Sequence, residues 1–188
     1  MVIQRNRIPV AEFDQLVSQI ENVDKLFEYI AGEIIEVPSN PFASKIAARI
    51  IFLLSLYLEE NDLGHITGEA GGYMVSGERY APDVAFISYD KQPELARSGY
   101  NPNPPDIAVE IISNTANNDE QNRLRIKVSS YLSAGVTVLV VNGDEQTVEL
   151  HQAGEPPQIF SGDQILTIAD HLPDFKLKIN QIFTKNTR

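Results

Sequence analysis

Residues 106–141 read DIAVEIISNTANNDEQNRLRIKVSSYLSAGVTVLVV. Residues 106–112 are apolar except for Asp106 and Glu110, which predicts a central strand. A polar run follows over 113–121, then a helix from about 122 to 134 and a stop at Gly135. The almost wholly apolar 136–141 then predicts a strand buried on both faces. Within the helix, Leu124, Val128 and Leu132 form an apolar face, and Asp119, Arg123, Lys127 and Tyr131, four apart, form a neighbouring polar one. The apolar face is expected to pack on the sheet and to leave Lys127 at its border.

Working outward, Phe13, Leu16, Val17 and Ile20 recur at helical spacing after Pro9, which predicts a short helix capping a core. Residues 25–37 alternate, with Phe27 and Tyr29 on one face, Leu26, Glu28 and Ile30 on the other, and a turn at Ala31 and Gly32. That pattern predicts a hairpin. Beyond 38–41, the residues Ile46, Ile50, Leu53, Leu54, Tyr57 and Leu58 trace a helical stripe with Lys45, Arg49, Glu59 and Glu60 off it. Short strands over 64–88, divided by Gly71–Gly72 and Ser76–Gly77, predict a meander that passes through Pro82 and Asp83. Residues 90–105, with four prolines, predict an ordered surface loop. Downstream, 147–151 is expected as an edge strand, 175–179 alternates, and a final turn falls near Phe183.

Composition excludes several chemistries. The chain has 188 residues, 43% of them hydrophobic, which suits one domain. Fifteen Lys and Arg against 26 Asp and Glu leave a net charge of −11, so indiscriminate, charge-driven wrapping of nucleic acid is not expected and a polyanion must be met locally. The absence of cysteine removes disulfides, thiolate metal sites and a cysteine nucleophile, and suits a reducing cytoplasm, the expected location. Apolar runs such as 50–54 fall short of the roughly 18 residues of a membrane span, so no membrane partner is expected. The start, with Arg5, Arg7 and Pro9, has no signal-peptide pattern. His65, His151 and His171 lack zinc-ligand spacing, and there is neither a P-loop nor a Gly-x-Ser-x-Gly elbow.

What remains is a pattern of acids and a lysine. Asp83 follows Pro82 on one strand, Glu110 lies near the end of the next, and Lys127 follows in the helix. Two adjacent strands can aim two carboxylates at one point, and Mg²⁺ is held by one or two carboxylates with water and phosphate. A lysine beside them orients water or neutralises developing charge. Each residue also has a plainer reading: Asp83 as a turn residue, Lys127 as a solvated i,i+4 partner. Glu110 is harder to dismiss, because an ionised carboxylate inside an apolar strand is costly unless paired or metal-bound. Arg123, Arg125 and Lys127 form a local basic cluster where a phosphate backbone could dock, or equally a solvated helix face.

At these positions the chain resembles the Uma-type restriction endonuclease family of the PD-(D/E)XK nuclease superfamily. The resemblance rests on Gly32–Glu33, on residues 76–86 (SGERYAPDVAF), on 108–113 (AVEIIS), and on Lys127 with Tyr131 and Gly135–Val136. It spans roughly residues 24–152. It implies a restriction-endonuclease-like α/β core at about 41–152, a mixed central sheet flanked by helices, with an N-terminal helix and hairpin at 10–37 and an extension at 153–188, all one domain. It also implies hydrolysis of phosphodiester bonds, with DNA the expected substrate and Mg²⁺ or Mn²⁺ the cofactor. Asp83, Glu110 and the main-chain carbonyl of Ile111 are then the expected metal ligands and Lys127 the catalytic lysine, while Arg123 and Arg125 of the basic cluster are candidate nucleic-acid contacts on their charge alone. Glu33 matches the family's hairpin glutamate and is a candidate third acid, with Glu69 a rival and an ordinary hairpin carboxylate the plainer reading. Tyr131 is expected as a core aromatic with its hydroxyl at the site edge.

The superfamily places its lysine two residues after the strand glutamate, where this chain has Ile112, so Lys127 is expected to replace it from the helix. Residues 113–115 read Ser-Asn-Thr where the family has Ser-Pro-Ser, and no histidine opens the long helix near Ser44. A competing reading is a nuclease-fold binding or assembly module without activity. Cutting both strands of a duplex with one site per chain is most simply done by a two-fold pair, so a homodimer is expected.

Overall fold

In the computed structural model, which describes residues 7–22, 25–37, 40–112 and 116–183, the elements follow in this order. Helix α1 (Val10–Val17) precedes the hairpin β1 (Phe27–Ile30) and β2 (Glu33–Glu36), and α2 (Pro41–Leu58) follows. Then come β3 (Gly64–Gly68), β4 (Tyr73–Val75), β5 (Glu78–Tyr80), β6 (Val84–Ser88) and β7 (Ile107–Ile112). Helix α3 (Asn118–Ser133) leads to β8 (Thr137–Asn142), β9 (Thr147–His151), β10 (Gln158–Ser161), β11 (Ile165–Leu166) and β12 (Leu177–Lys178).

The central sheet is mixed, with strand order β10-β9-β8-β7-β6-β3. Only β7 and β8, joined through α3, are parallel in it. Pleating sends alternate residues to opposite faces. Val84, Phe86, Ile107, Val109 and Ile111 pack under α2 and the C-terminal segment. Ala85, Ile87, Ala108, Val138 and Val140 face the other way, toward α3 and a second sheet. Both faces are covered, which is why β8 reads as an unbroken apolar run.

The second sheet, of order β2-β1-β5-β4, corrects the meander expected over 64–88. Strand β3 pairs directly with β6, and the β4–β5 hairpin between them leaves the central sheet to join β1. Both hairpins close through two residues at positive φ, Ala31 and Gly32 in one and Ser76 and Gly77 in the other. That is the twist a two-residue hairpin needs.

Three other boundaries differ from the sequence reading. Strand β9 is not an edge, because β10 pairs with its residues from Thr147 to Leu150. Helix α3 begins at Asn118, four residues before the expected start near 122, because the Asn117 side chain caps it by accepting from the N–H groups of Asp119 and Glu120. Helix α1 ends at Val17, and Ile20 opens a separate 3-10 turn. Residues 38–39 and 113–115 lie outside the described residues.

Helix α2 is capped in the same way by Asn40, with Pro41 at its first position. Among the described residues it is the one helix with the length and hydropathy of a membrane span, 18 residues at mean hydropathy 1.5. It lies on the sheet with Ala43, Ile46, Ala47, Ile50 and Leu54 buried, as the core helix of the fold. The 50–54 run understates it because Lys45 and Arg49 interrupt the apolar sequence without displacing its buried face.

Candidate active site

Val84 pairs with Val109, so the next step along the antiparallel ladder sets Asp83 opposite Glu110 on the α3 side of the sheet. Directly opposed carboxylates repel one another unless a cation or a proton intervenes. The Ile111 N–H donates to Asp83 Oδ2 at 2.7 Å. That bond ties the aspartate to the strand that carries the glutamate.

The cation comes from α3. Lys127 Nζ donates to Glu110 Oε2 at 2.6 Å and to Glu28 Oε1 at 2.7 Å. Tyr131, one turn on, donates its hydroxyl to Glu110 Oε1 at 3.0 Å. The Lys127 ammonium also stands 5.7 Å from the centre of the Tyr80 ring. Glu28 is held independently, because the Ala81 N–H donates to its Oε1 at 2.9 Å. Lys127 is 6% exposed, Glu110 7% and Glu28 6%, so this is a buried acid–lysine–acid bridge.

The face of α3 that is buried most deeply is therefore the polar one, with Lys127 and Tyr131 beneath the helix and Leu124 and Val128 only partly covered. This reverses the expectation that the leucine face would be the packed one and Lys127 its border. The cost of burying the ammonium is offset by two carboxylates, which an isolated helix cannot supply.

Burial pushes Asp83 up to about 6, against the pull of the Ile111 N–H and of Lys127. Burial likewise raises Glu110, with Lys127 opposing the rise and the charges of Glu28 and Asp83 adding to it. For Lys127, burial works against the charged form, and Glu110 and Glu28 together overcome it and keep the ammonium protonated.

Beside these groups lies a cavity of about 210 Å³. Its walls include Glu28, Asp83, Glu110 and Lys127, and Ile112, which holds the place of the missing strand lysine. Glu69, Glu120 and Arg123 stand around them, and the capping residues Asn40 and Asn117 bring the first turns of α2 and α3 to the same space. The basic cluster divides: Arg123 lines the cavity, whereas Arg125 is exposed and donates to Asn122 Oδ1 at 3.3 Å.

Glu33 requires a correction. It pairs with Ile30 at the turn end of the hairpin and does not line the cavity, whereas Glu28 pairs with Ile35 two residues away, roughly 7 Å along the strand. The acid that joins Glu110 and Lys127 is Glu28. Alternation hid it, because a glutamate between Phe27 and Tyr29 reads as the solvent face of a hairpin. In the fold β1 is an interior strand, with Phe27 and Tyr29 under α1 and Glu28 and Ile30 facing the central sheet. The available signal was the one used for Glu110, an acid set among large apolar residues. Glu69, the rival, lines the cavity from an exposed position after β3, and its charge helps raise Asp83.

A family model described as "Uma2: Putative restriction endonuclease" matches residues 10–180. The chain belongs to the Uma2 family. It is also similar to the crystal structure of "a putative nuclease belonging to DUF820" from Anabaena variabilis ATCC 29413, with a TM-score of 0.79, 19% identity, and coverage of 94% of this chain and 98% of that one. At that identity the likeness establishes a shared fold. No match was found among curated proteins.

Among the described residues, no three Asp, Glu or His side chains are grouped closely enough to cage a metal ion. The donors beside the cavity are nevertheless carboxylate oxygens, with Asp83 facing Glu110. That set fits Mg²⁺ or Mn²⁺, hard cations that take one or two carboxylates and leave their remaining positions to water and phosphate.

Proposed function

We propose that this Uma2 family member is a metal-dependent endonuclease that hydrolyses phosphodiester bonds, with double-stranded DNA as substrate. The observation that carries the reading is the opposition of Asp83 and Glu110 across neighbouring strands, with Lys127 bonded to Glu110 at 2.6 Å beside an open cavity. Asp83, Glu110 and the main-chain carbonyl of Ile111 would hold Mg²⁺ or Mn²⁺. A divalent ion there supplies Lewis acidity for attack of water on phosphorus and for the departing oxygen.

The chain's own residues divide the rest. Glu28 and Tyr131 fix the two partners of the central ion pair: Glu28 anchors the Lys127 ammonium, and Tyr131 orients Glu110 through its second oxygen. Lys127, kept protonated, holds water or phosphate by donation and does not act as a base. We further propose that the chain works as one domain, as a homodimer, in the cytoplasm.

One observation favours a second reading, a nuclease-fold module without activity: both carboxylates nearest Lys127 already engage its ammonium. Calorimetric titration with Mg²⁺ and Mn²⁺, run beside cleavage of supercoiled plasmid, separates the two. Saturable metal binding with metal-dependent nicking that Asp83→Asn abolishes supports the nuclease. No binding of either ion and no nicking leaves the inactive module.

A further inference from the structure

The cavity is lined by five carboxylates, Glu28, Glu69, Asp83, Glu110 and Glu120, and by two cations, Lys127 and Arg123. An incoming phosphate meets a wall of like charge. Lys127 has one donor left for it, because two of its three N–H groups already bond carboxylates at 2.6 and 2.7 Å. Arg123 differs. Its Nε is buried and has no hydrogen-bond partner, and among the described residues its guanidinium makes no ion pair. A buried N–H without an acceptor is costly, so this Nε beside the cavity is a donor left without its acceptor.

The position suits a strand of nucleic acid. Arg123 is one helical turn before Lys127 on the same face of α3, about 6 Å along the axis. Arg123 lines the cavity one turn nearer than Lys127 to the N-terminus of α3, where Asn117 and Asn40 bring the positive ends of two helices. A guanidinium presents paired donors that match two oxygens of one phosphate. Arg125, two residues on, is turned to solvent and bonded to Asn122.

Resting on the nuclease reading above, we propose that Arg123 is the phosphate seat of this site: it takes, through two donors, a backbone phosphate of the bound strand next to the bond held at Asp83 and Glu110. A phosphate contact anchors the backbone and reads no base. The contact is accordingly independent of sequence.

The test measures anisotropy of labelled 16-mer duplexes of two unrelated sequences, from 50 to 200 mM salt, in an Asp83→Asn background that prevents cleavage. Arg123→Gln is compared with Arg97→Gln, an exposed loop arginine that matches the charge change. Arg123→Gln should weaken both duplexes equally, about tenfold at low salt, and lower the salt slope by about one. Arg123→Lys should keep the slope and lose part of the affinity, and Arg97→Gln should change neither. Melting of the wild-type chain with 10 mM pyrophosphate forms a second arm, in which stabilisation must vanish in Arg123→Gln. If duplexes bind and Arg123→Gln matches its parent, the phosphate seat is refuted while the nuclease reading stands. If no duplex binds but pyrophosphate stabilises through Arg123, Arg123 is a site for free phosphate, and both the strand contact and the nuclease reading fall. If neither ligand binds, both fall.

Discussion

Lys127 reaches Glu110 at 2.6 Å although the two residues are seventeen positions apart and lie on different elements. A lysine two residues after Glu110 on β7 would project from the same face of the sheet. Ile112 holds that place and lines the cavity. Helix α3 crosses back over this face between the parallel strands β7 and β8, and so delivers the ammonium to the acids from above instead of from within the strand.

Neutralising Asp83 should stabilise the metal-free protein in a pH-dependent way. Its carboxyl is raised from the ordinary 3.8 to about 6, so its contribution to stability is fully present below pH 4 and is lost as pH rises through 6. A shift of about two units corresponds to roughly 3 kcal/mol at neutral pH. Asp83→Asn should therefore melt with its parent near pH 4 and higher, by about 5–10 °C, above pH 7 in EDTA. A constant difference across that range would show that Asp83 titrates normally.

Lys127→Met should destabilise strongly at neutral pH, by about 3–5 kcal/mol, because Glu28 and Glu110 then share a buried space with no cation. The loss should shrink toward pH 5, as Glu110, already raised by burial, takes up a proton. Urea melts at pH 5 and pH 8 measure both values. An equal loss at the two pH values would mean that packing, not charge, is what the lysine provides.

Glu28 and Lys127 should be coupled. In a double-mutant cycle Glu28→Gln and Lys127→Met should fall short of additivity by about 1–3 kcal/mol, as groups in one buried network do. Additive losses would place Glu28 outside the bridge.

Cleavage should separate the two hairpin glutamates. Glu110→Gln, Asp83→Asn and Glu28→Gln should each lower metal-dependent plasmid nicking by at least about a hundredfold. Glu33→Gln should stay within about twofold of the parent, since Glu33 does not line the cavity. Retained nicking in Asp83→Asn would remove the metal assignment, and loss in Glu33→Gln would return Glu33 to the site.

Light scattering at micromolar concentration should give twice the chain mass, in keeping with a two-fold pair that cuts both strands of a duplex. A single chain mass at every concentration would leave one-strand cleavage as the activity to seek.

The amino-acid sequence determined the elements whose signals are local. The apolar run before Asn142, the stripe of α2 and the hairpin around Gly32 each follow from periodicity and turn chemistry within one segment. Glu110 was legible for the same reason, since a carboxylate inside an apolar strand is anomalous wherever the strand is placed. Only the tertiary structure decided that Glu28 is buried, that Glu33 is not at the cavity, that β4 and β5 leave the central sheet, and that α3 buries Lys127 and Tyr131 more deeply than its leucines. Each of these depends on a partner distant in the chain. Glu28 and Lys127, 99 residues apart, are each costly to bury alone and become stable inside only when the fold brings them within 2.7 Å.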